Sequence, residues 1–161
     1  MATLRVFDTG RAERAQVTDV PAMKQIIDYY AKQNRMLFRS LAELYGGIRD
    51  YVVWRQDGKV AGCCALHVMW KDLAEVRGLA VLPEFQGQGI GRQLVDACVA
   101  EAGELGIKTV FTLTLEPTFF TKCGFRQVER DTLSIKVWQE CYRCPKFSKC
   151  DEIAMIRTLQ E

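Results

Sequence analysis

The chain has 161 residues, 48% hydrophobic and 26% charged, and 22 Lys and Arg against 20 Asp and Glu leave a net charge of +2. That composition is ordinary for a folded globular protein; it excludes a disordered, collagenous or coiled-coil chain and gives no basic field for sequence-independent nucleic-acid binding. No apolar run approaches the roughly 18–20 residues of a membrane span.

The start, Met1-Ala2-Thr3-Leu4-Arg5, has no apolar signal core, and Glu13, Arg14 and Asp19 follow soon after. A cytoplasmic protein is expected, with no membrane partner. Seven cysteines without a secretory signal argue against a disulfide framework. Repeats, low-complexity tracts and Pro/Gly/Ser linkers are lacking, so one domain over 1–161 is the expectation.

Leu4 to Ala15 is read as containing a strand. Thr18 and Asp19 offer N-cap oxygens ahead of Pro21. Val20, Met23, Ile26, Ile27 and Tyr30 then recur at helical spacing, so a helix should run to about Gln33. Ser40-Leu41-Ala42-Glu43 is a capping box opening a short helix that stops at Gly46-Gly47. A meander follows: strand Tyr51 to Arg55, an Asp57-Gly58 hairpin turn, strand Lys59 to Trp70, a tight Lys71-Asp72 connection, and strand Leu73 to Leu82.

A helix is predicted from about Gly89 to Gly103, with Ile90, Leu94, Val95, Cys98 and Ala102 inward and Arg92, Asp96 and Glu101 in water. Beyond it come strand Thr109 to Leu115, a short helix Pro117 to Lys122, strand Phe125 to Arg130, a helix Ser134 to Cys141 and a last strand Glu152 to Leu159. The fold class is mixed α/β, with an antiparallel meander in the first half of the central sheet.

The most informative stretch is Leu79-Ala80-Val81-Leu82-Pro83-Glu84-Phe85-Gln86-Gly87-Gln88-Gly89-Ile90-Gly91-Arg92. A strand ends at Pro83 and the chain re-enters a helix through three alternate glycines. Without Cβ atoms, successive backbone N–H groups can turn toward one point, at the positive end of a helix whose first N–H groups lack intrahelical partners. Such a place suits a phosphate or pyrophosphate. A Rossmann fingerprint would need glycine where Arg92 stands, and the Gly-Lys-Ser/Thr of a P-loop is missing.

Gln86-Gly87-Gln88-Gly89-Ile90-Gly91, with the later Lys122-Cys123-Gly124-Phe125, resembles the acetyl-CoA signature of the GNAT acetyltransferases. The resemblance covers about residues 14 to 159 and implies the GNAT fold with acetyl-CoA as co-substrate. It implies that the backbone of Gly87, Gln88, Gly89, Ile90, Gly91 and Arg92 wraps the pyrophosphate, with Gln86 also among the cofactor-binding residues. The strand edge at Leu79, Ala80 and Val81 would pair with the pantetheine arm and polarise the thioester carbonyl.

Gly62 to Trp70, Asp72 to Arg77, Arg39-Ser40 and Thr112-Leu113-Thr114 resemble a narrower branch, the N-acetylglutamate synthase type of amino-acid N-acetyltransferase that opens arginine biosynthesis. The match would be to a short form, because the kinase-like domain of the long synthases does not fit in 161 residues. Glu75 matches the general base of that branch, and Arg77 and Arg39 are candidates for holding an acceptor carboxylate. Alternation places Glu75, Arg77, Leu79 and Val81 on one strand face. A structural Glu75–Arg77 ion pair and a solvated Arg39 are the competing readings.

Two departures stand out. Phe120 occupies the place of a tyrosine that in many relatives protonates the leaving thiolate, which leaves Cys123 and Tyr142 as candidates. Glu116-Pro117-Thr118 stands where the long synthases carry Arg and Ser, so glutamine competes with glutamate as the expected acceptor. Another amine acceptor, or a CoA-binding or cysteine-metal module without turnover, is the alternative function.

Cys141-x-x-Cys144 with Cys150 is half of a zinc set, with Cys123 or His67 as a distant fourth ligand. Packing or redox-labile thiols are preferred, and no metal is expected. Cys63, Cys64 and His67 are read as structural, the tryptophans as core or edge packing, and Phe119 and Phe120 as core residues or walls of the CoA cleft. Pairing of two copies through the last strands is implied by the resemblance.

Overall fold

The computed structural model describes residues 9–133 and 151–159. Its elements are β1 (Arg11–Arg14), α1 (Val20–Ala31), α2 (Leu41–Gly46), β2 (Tyr51–Gln56), β3 (Lys59–Trp70), β4 (Leu73–Val81), α3 (Ile90–Glu104), β5 (Thr109–Thr114), α4 (Pro117–Lys122), β6 (Arg126–Gln127) and β7 (Ile153–Thr158). The strands form one mixed sheet in the order β1-β2-β3-β4-β5-β7-β6. β1–β2, β2–β3, β5–β7 and β6–β7 are antiparallel, whereas β4–β5 is parallel. The mixed α/β class and its N-terminal meander are as expected. Among the described residues no helix is long and apolar enough to cross a membrane.

Two compact units can be distinguished, one comprising the chain up to Ala65 with Gly78–Ala97, the other Leu66–Arg77 with the chain from Cys98 onward. In the first, Asp57 and Gly58 both take positive φ, 51° and 75°, which gives the tight turn the twist that β2 and β3 require. The Ser40 hydroxyl accepts from the Glu43 N–H at 3.0 Å and so caps α2. Val20, Met23, Ile26, Ile27 and Tyr30 of α1 pack with Leu44, Tyr51, Val53, Cys63, Ala65 and Ala80. Cys63 and Cys64 are fully buried, small core residues as expected. Gly62 permits a close approach, since a Cβ there would lie 3.0 Å from the Ala80 carbonyl and 3.2 Å from Leu94.

Asp19 departs from the expected capping role. It stands at the N-cap of α1 without capping that helix, and its carboxylate serves instead in the capping box of the preceding 3-10 turn Val17–Asp19. It accepts from the Gln16 N–H at 2.8 Å and from the Arg55 guanidinium at 2.9 Å. Asp19 is only 5% exposed, and a buried carboxylate draws more from a charged donor than from a single amide.

In the second unit β5 and β7 pair from Thr109↔Thr158 to Thr114↔Ile153. Phe111, Leu133 and Ala154 form its core, with Met69, Leu73, Leu113, Val128 and Ile156 against them. The strand predicted over Phe125 to Arg130 is shorter, Arg126–Gln127. Val128 still bonds to Ala154, but a 3-10 turn over Arg130–Thr132 then ends the extended run, held by a 2.7 Å bond from Arg130 to the Glu152 carbonyl. Glu101, expected in water, is half-buried. The helix predicted over Ser134 to Cys141, together with Trp138, Tyr142, Cys144 and Cys150, lies outside the described residues.

Leu94 is fully buried, so Leu94→Ala is expected to cost about 2–5 kcal/mol in denaturant unfolding; a cost within error of zero contradicts this packing. Arg11 and Arg55 donate to Glu13 at 2.6 and 3.0 Å, which holds its carboxyl below the ordinary value of 4.5. A depressed carboxylate stabilises the fold above its unfolded pKa, and that contribution is lost as pH falls through the folded value. The melting-temperature difference between wild type and Glu13→Gln should therefore be largest above about pH 4.5 and close on acidification.

Candidate active site

β4 feeds the glycine-rich turn, and its backbone register decides which groups are on offer. The Leu82 N–H donates to the Ala61 carbonyl at 2.8 Å. Main-chain polar groups alternate sides along a strand, so Ala80 and Leu82 direct theirs to β3. Leu79 and Val81 direct theirs to the opposite edge. The ladder with β5 pairs Leu73, Ala74 and Glu75 only. Beyond it Gly78 takes φ +66°, a conformation costly for other residues.

After β4 a 3-10 turn covers Pro83–Phe85, and the Gln86 N–H closes it on the Pro83 carbonyl at 3.2 Å. Gly87 and Gly89 follow with φ of +78° and +79°. The first intrahelical bond of α3 runs from Gln93 to the Gly89 carbonyl, 3.2 Å. Helix geometry thus leaves the N–H groups of Gly89, Ile90, Gly91 and Arg92 without intrahelical acceptors. Glycine at the N-cap brings no side chain of its own to them. Gln86, Gln88 and Arg92 are exposed, while Ile90 is buried and anchors the turn. A concave run of donors at a positive helix end is a place for an anionic oxygen cluster such as a diphosphate.

One partner of this turn was hidden in an apolar stripe. Tyr30 of α1 is 6% exposed, as its spacing predicts. Its hydroxyl, however, donates to the Val81 carbonyl and accepts from Gln86 Nε2 at 2.5 Å. Burial raises the Tyr30 pKa above its ordinary value, although nearby Arg35 opposes the shift. The Arg35 guanidinium lies 5.1 Å from the ring centroid. Sequence periodicity treats Tyr30 as it would Phe, so nothing local announces the hydroxyl's role.

Glu75 and Arg77 lie side by side on β4, Oε2 to Nη1 3.8 Å, with side chains 14% and 17% exposed. That separation is Coulombic contact beyond hydrogen-bond length. Val76 between them is buried, which agrees with period-two alternation. Arg39 belongs to the other unit. It is not a solvated cation, since its side chain is 17% exposed and pairs with Glu43 of α2 at 3.5 Å. Phe120 is buried, with its ring edge-on to Phe119 and Phe125 at centroid distances of 5.0 and 5.3 Å. Cys123 beside it is also buried, and its carbonyl accepts from Arg157 at 2.9 Å. Among the described residues no three His, Cys, Asp or Glu side chains gather as a metal site.

Known proteins resemble this chain in sequence and fold. An uncharacterized N-acetyltransferase of Chlorobaculum tepidum is 43% identical over 145 residues, 90% of this chain and 94% of that protein. An amino-acid acetyltransferase of Mycobacterium tuberculosis is 41% identical over 133 residues, 81% of this chain and 76% of the relative. The crystal structure of Rv2747 from Mycobacterium tuberculosis in complex with CoA and NLQ matches with a TM-score of 0.80 and 34% identity, over 92% of this chain and 99% of that one. N-acetylglutamate synthase from Neisseria gonorrhoeae, complexed with coenzyme A and N-acetyl-glutamate, matches with a TM-score of 0.85 and 26% identity, over 94% of this chain and 35% of that one. The model of the acetyltransferase (GNAT) family covers residues 20–125, a span that runs from α1 through the glycine turn to Phe125, and the chain belongs to that family.

Proposed function

We propose that the protein transfers the acetyl group of acetyl-CoA to the α-amino group of an amino acid, with L-glutamate as first choice and L-glutamine as second, and thereby opens arginine biosynthesis. The observation that carries this reading is the half-buried Glu75–Arg77 pair on the strand that leads into an acetyltransferase's glycine turn. The 41% identical relative named amino-acid acetyltransferase supports the acceptor class. The gonococcal synthase, solved with N-acetyl-glutamate, supports glutamate among amino acids.

On this reading each group has a task. The N–H groups from Gly87 to Arg92 hold the diphosphate, and the outward backbone of Leu79 and Val81 on either side of Ala80 pairs with the pantetheine amides. A main-chain N–H of that edge stabilises the oxyanion of the attacked thioester. The acceptor arrives as an ammonium, because α-amino groups titrate near ~8, and a proton must leave before nitrogen can attack. Glu75 receives that proton, directly or through water. The C–N bond forms, the C–S bond breaks, and coenzyme A departs as a thiolate that ends protonated. Arg77 holds an acceptor carboxylate, a duty that guanidinium geometry serves well.

Glu75→Gln should lower kcat by about 10²–10⁴-fold with CoA affinity retained, since a positioned base contributes on that scale; steady-state turnover and calorimetry read the two separately. Arg77→Ala should raise KM for the amino acid by about 10–100-fold, the worth of a charged hydrogen bond, and leave KM for acetyl-CoA nearly unchanged. An acceptor panel of amino acids, polyamines and N-terminal peptides, scored by thiol release, tests the substrate class. Turnover confined to polyamines or peptides overturns it.

A further inference from the structure

We propose that Tyr30 is a positioning residue for the phosphate-binding turn: its hydroxyl ties the Gln86 side chain to the Val81 carbonyl and holds the turn in its cofactor-receiving form. The inference rests on the reading of residues 86–92 as the acetyl-CoA site and names a residue of α1 that acts on it through Gln86.

The geometry is specific. Val81 is the last residue of β4, and Gln86 is the residue at which the following 3-10 turn gives way to extended backbone. One phenolic oxygen bonds to both ends of that five-residue step, donating to one and accepting from the other. An exposed glutamine in front of two left-handed glycines has many conformations of similar energy, and fixing one of them in advance lowers the ordering cost of binding. The anchor itself does not move freely. Tyr30 is packed within the α1 core cluster, and the Tyr29 ring lies edge-on to it at 5.0 Å.

The bond also occupies the Val81 carbonyl. Because Val81 directs its polar groups away from β3, Tyr30 selects what that edge presents, with the carbonyl engaged and the N–H of the same residue left for a ligand. Packing alone requires none of this. Phenylalanine would fill the same space in the stripe, and only the oxygen reaches the turn.

The test is a double-mutant cycle in the full chain, with CoA affinity by calorimetry, acetyl-CoA kinetics and circular dichroism. Tyr30→Phe and Gln86→Met should each raise Kd for CoA and KM for acetyl-CoA by about five- to ten-fold, the scale of a hydrogen bond, with kcat within about two-fold. The double variant should be no worse than the weaker-binding single. Additive effects overturn the proposal, because they mean that Tyr30 acts through general stability and Gln86 through its own contact. Should Tyr30→Phe fold poorly, Gln86→Met alone decides: its side chain is exposed, and an unchanged KM refutes the clamp. Wild-type protein that binds no CoA defeats the underlying reading instead, and wild-type affinity in both variants defeats only this one.

Discussion

The direction in which β4 points its main-chain groups is the constraint on which the rest of the site depends. An antiparallel strand can offer a residue's N–H and C=O to one edge only, and the Leu82–Ala61 bond decides the choice for the last residues of β4. A slip of one residue would exchange Leu79 and Val81 for Ala80 and bring the wrong side chains to each face. Two features resist that slip. The Asp57-Gly58 turn sets where β3 starts, and the missing Cβ of Gly62 lets the Ala80 carbonyl and Leu94 come within 3.0–3.2 Å of that position. The register of an ordinary meander thereby fixes which main-chain groups the end of β4 turns away from β3.

Two helix starts in the same unit show how the turn differs from structural capping. At α2, Ser40 supplies an oxygen to the Glu43 N–H and donates its hydroxyl to the Glu43 carboxylate at 3.2 Å, so a side chain of the cap covers one of the first N–H groups. At α3 the corresponding position is Gly89, which has no side chain to offer. The cost in helix stability is modest, a few tenths of a kcal/mol relative to a good cap. In exchange no side chain of the cap covers the first N–H groups of α3. Burial of Ile90, Leu94 and Val95 supplies the stability that the cap does not.

Legibility followed range. Features written in a few consecutive residues read correctly: the Ser40 cap, the Asp57-Gly58 turn, β3 to the residue, α4 to the residue, and the glycine signature that identified the family. Features decided by distant partners did not. Asp19 looked like a cap because its neighbours are Thr18 and Pro21, yet Arg55 reaches it from across the fold. The strand after Phe125 looked longer because Val128 and Glu129 continue its pattern, whereas the Arg130–Glu152 bond turns the chain away. Arg39 reads in sequence either as a carboxylate ligand or as a solvated cation, and only packing, which covers most of its side chain, removes the second reading.

Tyr30 shows the same limit in its sharpest form. Periodicity registers a ring as apolar, and the ring is indeed buried with α1. A phenol taken out of water still needs partners for its oxygen, since an unsatisfied buried hydroxyl costs on the order of 1–3 kcal/mol. Tyr30 finds both partners in the short step between β4 and the glycine turn. The packing of α1 and the conformation of that step therefore cannot vary independently: moving the helix strips the hydroxyl, and reshaping the turn does the same from the other side. A core position thus exerts a hold on a solvent-facing loop through a single oxygen atom.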